Sequence, residues 1–335
     1  MPALDLPIAI TFDFLTAWDF WIGVGILAGI YGIFTLGLQL NVGYTGVVNF
    51  GQAGFMAIGA YAAIIFVVEV GMPFLLALLL SIVVTVLIGL LIGLPSLRLR
   101  ADYFAIATIA FSEIIRDAAQ NARDLTGGNQ GTINLELEND RFFTDSWFSV
   151  SDWISENILD PIGLTGQDFG DLPLFLVIWI TLGLLAIGLN LLIRSPWGRV
   201  LRAIREDEDA ARALGKNAFS YKLQSLAIAA ALGAISGWFL AFNLESVSQD
   251  AFEPLYTFLG YAALVLGGLA SFGGVLVGSI ILWTLLEGMR FLDLPLSADK
   301  VSALRFVLVG LILIGLMAFR PQGVFGKREE MVLGD

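Results

Sequence analysis

The chain has 335 residues, of which 57% are hydrophobic and 14% charged, and its mean hydropathy of +0.83 excludes a soluble globular fold. It contains no Cys and no His, which excludes a disulfide framework, a Cys or His metal site and an imidazole proton carrier. The net charge of −12 falls so unevenly along the chain that it describes no single surface, and it makes nucleic acid an unsuitable partner.

A bilayer crossing takes about 20 apolar residues. From the N-terminus, such runs are predicted at 18–40, 45–68, 72–94, 102–120, 173–193, 222–242, 255–270, 273–291 and 302–319. They describe an all-α, polytopic integral membrane bundle of about nine spans, organised as a single domain over 1–335. The run 255–270 is short for a crossing and is expected to be tilted, packed inside the bundle or re-entrant. No Lys or Arg precedes Arg98, so the basic start of a cleavable leader is missing and the first span is expected to remain as an anchor.

The second run opens on "NVGYTGVVNFGQAGF", Asn41 to Phe55, where four glycines accompany Asn41, Thr45, Asn49 and Gln52. This pattern predicts an interrupted helix, and irregular backbone at membrane depth is tolerated only when buried in protein or facing water. Two explanations fit the four polar residues equally. They line a path that lets a polar solute pass without trapping it, or they bond helix to helix where glycines allow close packing. A second Gly-rich break spans Gly267-Gly268 to Gly273-Gly274, and its Ser271-Phe272-Gly273 echoes Asn49-Phe50-Gly51, a three-residue match within chance. Four G-x-x-x-G pairs (Gly25/Gly29, Gly89/Gly93, Gly233/Gly237 and Gly274/Gly278) mark close helix packing inside the bundle or against a partner chain.

Charges within the runs lie near their outer ends: Glu69, Glu113, Arg116, Asp117, Glu287, Arg290 and Arg305. Helical i, i+3 pairing of Glu113 with Arg116 and Glu287 with Arg290, together with snorkelling, accounts for them better than ion coupling does. A membrane hydrolase is disfavoured by the lack of any nucleophile and base at span depth.

The connection 121–171 is acidic, with Asp124, Glu136, Glu138, Asp140, Asp145, Asp152, Glu156, Asp160, Asp168 and Asp171 against Arg123 and Arg141. With Asp5, Asp13 and Asp19 of the N-terminus it is placed outside the cell. Arg98 and Arg100, the loop 194–221, and Arg320, Lys327 and Arg328 make three basic clusters on the cytoplasmic side, together with the C-terminus. In the loop, Ser195 as N-cap and Pro196 at the first position start a basic helix. A second short helix follows, its first turn crowded with Glu206, Asp207, Glu208 and Asp209, its end marked by Arg212, Gly215 and Lys216. Ala210, Ala213 and Leu214 give it a narrow apolar stripe, which it needs because so short a helix is marginal alone. An amphipathic loop lying on lipid headgroups is the plainer alternative, opposed by four clustered acids at an anionic surface.

Asp209-Ala210-Ala211, three residues and Gly215 resemble the EAA loop of ABC importer permeases, with Asp for the first Glu. "RSPWGRVLRAIREDEDAARALG", "GYTGVVNFGQAGFMAIGAYAA" (43–63), "LGGLASFGGVLVG" (266–278) and "RPQGVFG" (320–326) resemble the LivM-type permeases of branched-chain amino-acid ABC transporters. The resemblance implies a multi-pass protein of the bacterial inner membrane carrying branched-chain or other neutral amino acids. Urea, short amides and acidic amino acids are cargoes of related transporters. It also implies a LivH-type second permease, two cytoplasmic ATP-binding subunits that hold ATP and Mg, and an external substrate-binding protein. Residues 206–215 would be the coupling helix docked on an ATPase subunit, with Glu206, Asp207, Glu208, Asp209, Ala210, Ala211, Leu214 and Gly215 at the contact. In keeping with an engine on another chain, the sequence has no G-x-x-x-x-G-K-[ST] phosphate loop, and no cofactor of its own is expected. A carrier or channel working alone is the rival reading.

Overall fold

The computed structural model describes residues 13–132, 147–164, 169–244, 246–289, 298–320 and 323–325. Asp5, Glu136, Glu138, Asp140, Arg141, Asp145, Asp168, Arg290, Lys327 and Arg328 lie outside the described residues.

Among the described residues the secondary structure is entirely helical. The principal helices are α1 (Trp18–Leu38), α2 (Gln52–Val68), α3 (Phe74–Ser96), α4 (Ala101–Asn121), α5 (Leu172–Arg194), α6 (Pro196–Glu206), α7 (Glu208–Ala213), α8 (Ala218–Leu244), α9 (Pro254–Gly267), α10 (Phe272–Gly288) and α11 (Ala298–Phe319). Helices α1 and α8 form the centre, with 83% and 78% of their apolar windows buried, whereas α3 and α5 bury 28% and 33% and present Leu79, Leu87, Leu184 and Leu191 outward. Only a solvent of hydrocarbon makes that outward leucine surface favourable, so the chain is an integral membrane protein.

Every predicted apolar run is met by a helix, but not every helix is built to cross alone. Trp18–Thr45, Phe74–Ser96, Leu172–Arg194 and Ala218–Leu244 are long and apolar enough, and α9 with α10 supplies a fifth candidate, bent by 117° at the break between them. At 1.5 Å per residue the 14 residues of α9 reach only about 21 Å, short of a hydrocarbon core of about 30 Å. Helix α4 fails on charge, since it holds Asp102, Glu113, Arg116 and Asp117; its Arg116 meets Glu113 at 2.8 Å, the expected i, i+3 pair.

The four G-x-x-x-G pairs are all used inside the bundle. A Cβ on Gly25 or Gly29 would strike Phe175 or Ile178 of α5, and one on Gly89 or Gly93 would crowd Ala230 or Leu226 of α8. At Gly237 it would come within 2.2 Å of Met56 O on α2, and at Gly278 within 2.0 Å of Ala263 O on α9. Helix backbones therefore touch there, and none of these faces is free for another chain.

Candidate functional site

Helix α1 does not end at Leu38. It widens into π turns over Gln39–Thr45, Gly46 turns left-handed at φ 74°, and the chain runs without helix through 46–51 until α2 starts at Gln52. This is the predicted interruption. It leaves backbone N–H groups before and at the start of α2 without helical partners, and side chains take three of them. Thr108 of α4 accepts from Phe50 N–H at 3.0 Å, Asn49 from Gly51 N–H at 2.8 Å, and Thr257 of α9 from Ala53 N–H at 3.1 Å. Tyr261 of α9 donates to Asn49 O at 2.9 Å.

Asn41, Thr45, Asn49 and Gln52 are all buried at this break. The Asn49 amide donates to Gln52 Oε1 at 3.3 Å, and Gln52 Nε2 donates to Ala229 O of α8 at 2.9 Å. Thr45 Oγ1 lies 2.9 Å from both Leu40 O and Ser225 Oγ, while Ser225 donates to Asn41 Oδ1 at 2.9 Å. Thr45 and Gln52 bond across to α8, at Ser225 and Ala229, whereas the Asn49 side chain bonds locally, to Gln52 and Gly51. Asn41 differs, because its Nδ2 is buried without a partner.

The cytoplasmic-type loop packs directly on this break. Arg205, the penultimate residue of α6, donates through Nη1 to Gly43 O, and its Cγ would lie 3.1 Å from a Cβ on Gly46. Lys222 of α8 pairs with Glu208 of α7. Lys222, Ser225 and Ala229 are at i, i+3 and i+7, so one stripe of α8 touches first the loop and then the break. Sequence reasoning assigned no role to Thr108, Thr257, Tyr261, Ser225 or Arg205; hydroxyls inside apolar runs and that stripe spacing were the available signals.

Helix α6 starts at Ser195-Pro196 as expected, although the Ser195 hydroxyl turns back to Leu192 O at 2.6 Å rather than forward over the helix. Gly198 is obligatory there, since a Cβ would sit 2.1 Å from Ile193 O. Glu206 is not in the first turn of the next helix. It closes α6, and Asp207 is the N-cap of α7, accepting from Ala210 N–H at 2.9 Å. Such a cap fixes where the helix starts more firmly than the run of four acids reveals. Gly215 ends α7 in the left-handed region at φ 76°, with Lys216 N–H on Ala211 O and Gly215 N–H on Arg212 O, both C-terminal closing bonds of a Schellman turn.

The short helix has two faces. Ala211 is buried with Ile204 and Ala218, so it holds the loop to its own chain rather than offering a contact outward. Ala210, Ala213 and Leu214 are exposed, Leu214 at 81%, beside the fully outward Asp209. Glu208 sits between Arg212 at 2.6 Å and Lys222, bracing α7 against α8.

The other Gly-rich segment lies against the same end of α1. With its amide oxygen turned toward them, Gln39 receives the N–H groups of Ala270 and Ser271 at 2.7 and 2.6 Å, and Tyr44 donates to Ala270 O at 2.8 Å. Val324 and Phe325 N–H donate to Leu266 O and Gly267 O, closing the last carbonyls of α9. Three of the four motif segments, 43–63, 194–215 and 266–278, thus converge on one end of the bundle with the tail at 323–325.

A family model described as the branched-chain amino acid transport system permease component matches residues 21–317. The chain belongs to that family of permeases. Among relatives, the high-affinity branched-chain amino acid transport system permease protein LivM of Escherichia coli K12 is 32% identical over 320 residues, covering 92% of this chain and 72% of its own. The probable LivM of Methanocaldococcus jannaschii is 24% identical, covering 90% and 91%. The LivH permease of Salmonella typhimurium is 25% identical, covering 90% and 93%. No solved structure matches the chain. The family match takes in both helix breaks and the loop α6–α7, the parts that the structure brings together.

Proposed function

We propose that the chain is the LivM-type permease subunit of an ABC importer, paired with a LivH-type permease to form the membrane pathway for branched-chain or other neutral amino acids. The observation that carries this reading is the family match over 21–317, with LivM and LivH permeases both similar over nine-tenths of the chain. ATP and Mg are bound by two partner ATPase subunits, and an external binding protein delivers the amino acid to the acidic face. The N-terminus is outside and the C-terminus cytoplasmic.

In this reading α7 is the coupling helix, and its ATPase contact is made by Asp209, Ala210, Ala213 and Leu214, the exposed part of 206–215. Glu208, Lys222 and Arg205 then carry its displacement to the break at 46–51. There the unpartnered amide nitrogen of Asn41 is the polar group available to a passing solute, while Thr45 and Asn49 bond the local backbone and Gln52 ties Asn49 to α8.

The test is reconstitution of the chain with a LivH-type permease, two ATPase subunits and a binding protein, followed by ATP-dependent uptake of leucine, isoleucine, valine, alanine, glutamate and urea. Uptake of the apolar amino acids is expected; uptake of urea or glutamate alone would move the substrate assignment, and uptake without the ATPases would end the importer reading. Within the same assay Ala213→Arg is expected to abolish ATPase co-purification with the permease intact, whereas Ala211→Arg damages the loop itself, since overpacking a closed contact costs about 1–3 kcal/mol.

A further inference from the structure

Between the turn joining α3 to α4, the break at 46–48 and helices α7 and α8 lies a cavity of about 380 Å³, within the range of small-ligand sites. Its charged lining is Arg98, Arg100, Arg212 and Lys222 against one carboxylate, Glu208. That carboxylate is already held by Arg212 and Lys222. Arg98 and Arg100 have no acidic partner among the described residues, and Arg98 stands 5.8 Å over the ring of Phe219, which keeps its guanidinium at the cavity without neutralising it.

The cavity is also apolar on one side, through Leu97, Leu99 and Phe104. That surface continues on the exposed Leu94, Tyr103 and Ile106, up the outward faces of α3 and α4. Cations at the end of membrane helices, with a greasy track leading away from them into the bilayer, match an acidic phosphate on a diacyl tail. Basic pockets between transmembrane helices take such headgroups, and arginine suits them because its planar fork grips phosphate oxygens in pairs. A wholly soluble anion would leave the track unused.

We infer that this cavity is a binding site for the phosphate headgroup of an anionic phospholipid, which would lie in contact with both the coupling helix and the helix break. The inference needs the chain to be in a membrane but not to carry amino acids, so it stands or falls apart from the transport reading. The purified full-length chain in detergent is titrated with dioctanoyl phosphatidylglycerol, dioctanoyl phosphatidylcholine and inorganic phosphate, and bound lipid is read by native mass spectrometry. Retention of phosphatidylglycerol over phosphatidylcholine is expected. Arg98→Ala with Arg100→Ala should weaken it about fivefold per charge removed. Arg98→Lys with Arg100→Lys should retain most of the preference, which keeps the test open if the alanine pair folds poorly. Arg199→Ala removes an exposed charge of α6 outside the cavity and should change nothing. Equal retention of the two lipids, an equal loss in Arg199→Ala, or competition by inorganic phosphate as strong as that by the lipid would overturn the site. So would an alanine pair that keeps the lipid but no longer co-purifies with ATPase subunits, which would make the cavity a protein contact.

Discussion

Among the described residues, the Gly-rich segments 46–51 and 268–271 each break the path from one helix to the next, and they are held in partly different ways. The first is enclosed by helices with room for side chains: Thr108 of α4, Tyr261 of α9 and Asn49 bond its backbone, Thr257 of α9 takes Ala53 N–H just inside α2, and Gln52 links the Asn49 side chain to Ala229 O of α8. At the second, the two arms come so close at Gly267, Gly274 and Gly278 that no side chain fits between them, while Gln39 and Tyr44 bond the backbone of Ala270 and Ser271. Gly267 and Gly274 meet backbone to backbone, Gly278 meets Ala263 O, and the tail at 324–325 closes the last carbonyls of α9. The second restarts its helix with a side-chain cap, Ser271 on Gly274 N–H at 3.1 Å, whereas at the first Gly51 stands at the N-cap and Asn49 closes a local turn on Gly51 N–H. Without water in the hydrocarbon, a broken helix must find its partners in protein; side chains serve at both breaks, and at the second the close approach of α9 and α10 adds direct main-chain contact.

The largest effect is expected at the second break. In Gly267→Val the new Cβ would stand 1.8 Å from Gly274 O, so α9 and α10 must part, at a cost beyond the about 1–3 kcal/mol of ordinary overpacking. Loss of monodisperse protein on size exclusion is the expected result, and a normal elution profile with normal yield would show that close backbone approach is not what holds this segment. At the first break Gln52→Leu keeps the volume nearly constant but removes the tie to Ala229 O, which keeps its helical bond, and leaves the buried Asn49 amide N–H without a partner, costing about 1–3 kcal/mol. The thermal unfolding midpoint in detergent should fall clearly while the protein remains assembled. An unchanged midpoint would mean that side-chain bonding is dispensable there, and the contrast between the breaks would collapse. The smallest change is Ser271→Ala, which removes one cap worth about 1 kcal/mol. A loss larger than that of Gln52→Leu would show that side-chain bonding matters more at the second break than at the first.

Much of the fold was legible because its signals are local. Each apolar run became a helix, Gly215 closed α7, and Glu113 found Arg116 one turn away. The limits of reading appeared where a choice depended on a distant neighbour. A six-residue helix has too few turns for its apolar face to be read from spacing, so Ala211 was grouped with Ala210 although it packs inward on Ile204. The run of four acids concealed that Asp207 is the cap and Glu206 the end of the preceding helix. The polar residues of 41–52 could be picked out by their oddity in an apolar run, but what Asn41, Thr45 and Gln52 bond to depended on Ser225 and Ala229, far away in sequence.

Composition and periodicity by themselves determined the solvent, the helical class and the places where helices must start, stop or break, because each follows from how a residue and its near neighbours meet lipid or water. The tertiary structure alone decided what each break rests on, that all four G-x-x-x-G faces are spent inside the bundle, and that Arg205 ties the loop to the interruption between α1 and α2 while Lys222 ties it to α8. Those outcomes are set by which helices come within bonding distance. A glycine face fits any close backbone, and a buried hydroxyl serves any orphan N–H, so only the packing of the whole bundle selects the partner.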